Sequence, residues 1–150
     1  YPCCAHCNQI KSDKIPIFQL YNTSNISPFK FTLDNQSFLK YSMTGNSDDL
    51  RIIFGPNLGT PQQMVDDYDN YFHINKLYKN FNDTVEEIIW KYRANNTSAI
   101  KALKNSGFNF IPQKADINRF ILGNYDKSDD ILKRPLAKLV QDIAKQLGII

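Results

Sequence analysis

The sequence predicts an α+β fold, with short antiparallel strands in its first part and a helical C-terminal region. Phe29-Lys30-Phe31-Thr32-Leu33 alternates apolar and polar residues, the period of a half-buried strand. Gly55-Pro56-Asn57-Leu58-Gly59-Thr60-Pro61 then interrupts the chain with two prolines and two glycines. Beyond it the apolar residues recur at three- and four-residue spacing, which is the period of one helix face.

The elements follow in order. Phe38-Leu39-Lys40-Tyr41-Ser42-Met43 and Leu50-Arg51-Ile52-Ile53-Phe54 are expected as further strands, with Thr44-Gly45-Asn46-Ser47 turning between them. Together with Phe29–Leu33 they predict a small antiparallel meander within residues 1–60. Thr60 is expected to cap the next helix, with Pro61 at its first position, where a missing N–H costs nothing. Phe72, Ile74, Leu77 and Tyr78 suit a short helix that includes His73. Asn82 or Asp83 is expected to cap a helix whose stripe is Val85, Ile88, Ile89 and Tyr92, with Trp90 off the stripe. A helix over Ser98–Asn105 ends at Gly107, and one over Ala115–Leu122 stops at Gly123. The last runs from about Arg134 to Leu147, with Pro135 near its start and Leu136, Leu139, Val140, Ile143 and Leu147 as its stripe. Residues 61–150 thus form the helical part of what reads as a single domain over residues 1–150.

Composition narrows the class. The 150 residues are 42% hydrophobic and 13% aromatic, enough to build a core. No run reaches the ~18 apolar residues of a membrane-spanning helix, so no membrane partner is expected. The first residues show no charged region followed by an apolar stretch, so no signal peptide is expected. The three cysteines crowd into five positions, which is not the layout of a disulfide framework. A reducing cytoplasm follows as the expected compartment. No glycine-rich phosphate loop and no G-x-S-x-G elbow occurs.

The chemistry is concentrated in Cys3-Cys4-Ala5-His6-Cys7-Asn8, followed by Lys11-Ser12-Asp13-Lys14. Cys4-x-x-Cys7 presents two sulfurs as one knuckle of a tetrahedral zinc site does, yet a closed site needs four ligands. Three readings stand on the residues alone. The thiols are small buried hydrophobes. They are half of a zinc site whose other pair lies elsewhere. Or they are a redox pair, although that motif belongs after a strand. Asn8 is equally a helix cap. Asp66, Asp67 and Asp69, and Asp129 with Asp130, are acidic groups that read as surface residues near helix starts.

Pro2-Cys3-Cys4-Ala5-His6-Cys7-Asn8 and Lys11-Ser12-Asp13-Lys14 together resemble the second half of an HNH endonuclease motif, of the bacterial type found in some phage-defence operons. Weaker likeness continues at Pro28–Phe31, Ile121–Tyr125 and Lys133–Leu139. The resemblance implies a truncated ββα-metal motif ahead of the strands and a nuclease hydrolysing DNA phosphodiester bonds. It implies Asn8 as a ligand of a catalytic Mg²⁺ or Mn²⁺, and Cys4 and Cys7 as ligands of a structural Zn²⁺. A metal in such a site acts as Lewis acid and template. The family's general-base histidine and middle asparagine have no counterpart here, since His6 lies between the two cysteines. They are expected upstream of Tyr1 or on a partner.

The net charge of +3 is compatible with DNA without requiring it. Lys11 and Lys14 are the candidate phosphate contacts, and Lys133, Arg134 and Lys138 form a second basic group. By family analogy the helical part docks a partner protein, such as a defence ATPase. The competing reading is a non-catalytic protein-interaction module with a structural zinc knuckle.

Overall fold

A computed structural model describes residues 27–94, 102, 105–107, 114–125 and 136–150. The fold is α+β. Strand β1 (Phe29–Leu33) leads to helix α1 (Asn35–Thr44), and strand β2 (Ile52–Pro56) follows. Helices α2 (Gln62–Phe72), α3 (Ile74–Tyr78), α4 (Asn82–Ala94), α5 (Lys114–Leu122) and α6 (Ala137–Gln146) complete the described elements. Short 3₁₀ turns lie at Ser47–Asp49, Lys79–Phe81 and Gly123–Tyr125.

The expected three-strand meander is a two-strand antiparallel sheet. β1 and β2 pair with Phe31 opposite Phe54. The segment between them, read as a strand over Phe38–Met43, is helix α1. Its ends explain the difference. The Asp34 carboxylate accepts from the Ser37 N–H at 2.8 Å, a side-chain cap for an otherwise unpaired amide. Gly45 closes the helix at φ 70°, its N–H donating to the Tyr41 carbonyl. That left-handed geometry costs glycine little and other residues more. Ten residues between a cap and a stop settle as three helical turns, and only Tyr41 among them is buried.

Alternation in β1 holds as predicted, with Phe29, Phe31 and Leu33 buried and Lys30 exposed. The buried face meets aromatic side chains from the helices. The Phe29 ring lies 5.0 Å from Phe54 and 4.5 Å from Tyr68, while Phe31 stacks on Tyr78 at 4.3 Å. Offset and tilted pairs of this kind contribute about 0.5–1.5 kcal/mol each beyond their buried area.

A sheet of two strands has two open edges, and each edge group needs a partner. In an antiparallel pair, alternate residues turn their amides away from the partner strand. Helix side chains take those places here. On the β1 edge, the Phe31 N–H donates to Asp142 Oδ2 at 2.9 Å and the Leu33 N–H donates to Gln146 Oε1 at 2.7 Å. Gln146 Nε2 returns a bond to the Leu33 carbonyl at 2.9 Å. Asp142 and Gln146 are one turn apart on α6, so the helix presents the donors and acceptors of a third strand. On the β2 edge the Phe54 N–H donates to Asn75 Oδ1 of α3 at 3.1 Å.

Helix α2 begins one residue later than expected. Pro61 is its cap, without a side-chain bond, and Thr60 instead closes a turn by donating its N–H to the Asn57 carbonyl at 3.0 Å. His73 is not inside a helix. It sits at φ 51° between α2 and α3, ending one and starting the other. Asp69 makes that joint, accepting from the Asn75 N–H at 2.7 Å and from Asn75 Nδ2 at 2.9 Å. This holds Asn75 in place for the β2 edge.

The stripes of α4 and α6 are largely as read. Val85, Ile88 and Ile89 are buried, whereas Tyr92 is 42% exposed. α6 starts at Ala137 rather than Arg134, because Leu136 adopts φ 63° and breaks the helix there. Leu139 and Ile143 enter the core with β1, β2, α2 and α4. Val140 and Ala144 enter a second cluster with Ile88, Ile121, Leu122 and Ile149. Leu136 and Leu147 touch both clusters, so α6 joins the strand-bearing part to the helical part. Gly123 ends α5 at φ 60°, and Gly107 takes φ 86° where a stop was expected. Most of the helix expected over Ser98–Asn105 lies outside the described residues.

Candidate functional site

The residues singled out for chemistry, Cys4, Cys7 and Asn8 for metals and Lys11 and Lys14 for DNA, lie outside the described residues. Cys3, His6, Asp129, Asp130, Lys133 and Arg134 do so as well. Among the described residues, no group of three His, Cys, Asp or Glu is placed to hold a metal ion.

The described candidates are engaged in structure. Asp66 accepts from Gln62 Nε2 at 2.9 Å and Asp67 from Gln63 Nε2 at 3.0 Å, each one turn away on α2. These acids stand in the middle of α2 rather than at its start, and Asp69 is committed to Asn75. The three carboxylates therefore do not converge. His73 contributes a backbone joint. Lys138 donates to Asp142 Oδ1 at 2.6 Å, so its charge is met within α6 and not offered to a phosphate.

One arrangement has no counterpart in the sequence reading. It is made by side chains of α1 and α4. The Arg93 guanidinium sits 5.9 Å from the Phe38 ring centre and 5.6 Å from that of Tyr41. Its Nη2 donates to Ser42 Oγ at 2.8 Å. The Tyr41 hydroxyl donates to Glu86 Oε1 at 3.2 Å. Burial pushes the Tyr41 hydroxyl above its ordinary pKa, and the Glu86 charge beside it adds to that, against the opposing effect of Arg93. Tyr41 is thus held as a neutral donor. The partners stand 45 and 51 residues apart, so no local pattern announces them. A cation over aromatic faces contributes about 0.5–1 kcal/mol at an exposed site. Here it ties α1 to α4.

No protein-family model matches the chain, and no curated protein or solved structure matches it. Among the described residues, no helix is long and apolar enough to cross a membrane.

Proposed function

We propose that this chain is part of a metal-dependent DNA endonuclease of the HNH type, acting on phosphodiester bonds, with phage defence as its setting. One observation carries the reading, the run Cys4-x-x-Cys7-Asn8-x-x-Lys11-x-x-Lys14. The donor set fits the implied ions in part. Asn8 offers a hard amide oxygen of the kind Mg²⁺ or Mn²⁺ accepts. Cys4 and Cys7 supply two of the four ligands of a structural Zn²⁺. The catalytic metal supplies Lewis-acid stabilisation of the phosphate when bound. Lys11 and Lys14 add positive charge beside the phosphate. The family's general base has no match among these residues. In this reading the α+β body carries the nuclease motif and docks a partner protein such as a defence ATPase.

The test is cleavage of supercoiled plasmid by the full-length native gene product, alone and as Asn8→Ala. Nicking that requires Mg²⁺ or Mn²⁺ and falls by two orders of magnitude or more in the variant supports the proposal. Absence of cleavage, with zinc bound through Cys4 and Cys7, overturns it in favour of a structural knuckle in an interaction module. A specific observation favours that second reading: large apolar side chains stand exposed on α1 and α4.

A further inference from the structure

We draw no further inference here: the strongest candidate, the exposed apolar side chains of Leu39 and Met43 on α1 and of Trp90 on α4, carries nothing because nothing in the structure shows what covers them.

Discussion

Replacing Asp142 by alanine should loosen the contact between the last helix and the first strand. Its side chain is only 11% exposed, and its Oδ2 accepts the Phe31 N–H across 111 residues of sequence. Phe31 is itself 5% exposed, so water has little access to the freed amide. A hydrogen bond with an ionised partner contributes about 1.5–3 kcal/mol, and an orphaned buried donor carries a penalty within the same range. Lys138 loses its partner too, but at 23% exposure it can turn toward water, which limits that loss to about 0.5 kcal/mol. The sum is about 2–3 kcal/mol, or a fall in Tm of roughly 5–10 °C for a chain of this size. Thermal and urea unfolding followed by circular dichroism measure it. Asp142→Asn keeps an acceptor for Phe31 and loses only the charge, so it should cost about half as much. An alanine variant within about 0.5 kcal/mol of wild type, the usual range of surface changes, would refute the edge-pairing account. Equal damage from alanine and asparagine would refute the assignment of the main loss to the Phe31 amide.

Ile143 is fully buried between α6 and the sheet, so Ile143→Ala should cost about 2–5 kcal/mol, read from the urea midpoint; a smaller loss would mean the core collapses around the gap. His73→Gly should raise stability by about 0.5–1 kcal/mol, because glycine meets φ 51° without strain, while His73→Val should lower it; a reversed order would discredit the left-handed joint. Asp49 is held below the usual carboxylate range by the hydrogen bond from Lys40 and then by that from Thr44. Its folded-state pKa is depressed, so its contribution to stability is present above about pH 4 and is lost as pH falls through the folded value. The gap between wild type and Asp49→Asn should therefore narrow in acid, and a gap that widens there would contradict the pairing.

Several elements were legible because their causes are local. The Phe29–Leu33 alternation, the Val85–Ile88–Ile89 stripe and the glycine stop at Gly123 each follow from side-chain period or backbone freedom within a few residues. α1 departs from the expected strand because its deciding signals are not in its own run. Phe38–Met43 has no clean period, and the signals that decide it lie outside the run, in the Asp34 cap and in Gly45. The candidate site shows the same division. The Cys4-x-x-Cys7 pair stands out by its spacing, whereas Asn8 takes a metal role only from the resemblance to the HNH motif. The Arg93 junction was invisible, because its members come from α1 and α4 and meet only in three dimensions.

By itself the sequence determined the α+β class, the order of most helices and the faces they bury, since each is a matter of period, cap or breaker. Tertiary structure decided what those faces meet. It replaced a third strand with Asp142 and Gln146 from a helix more than a hundred residues away, turned Leu136 and His73 into left-handed joints, and fixed Arg93 against α1. The physical reason is that an edge amide, a strained φ and a lone guanidinium each need a specific partner or support. In each case that partner or support comes from whichever element packing brings alongside, and local spacing carries no record of it.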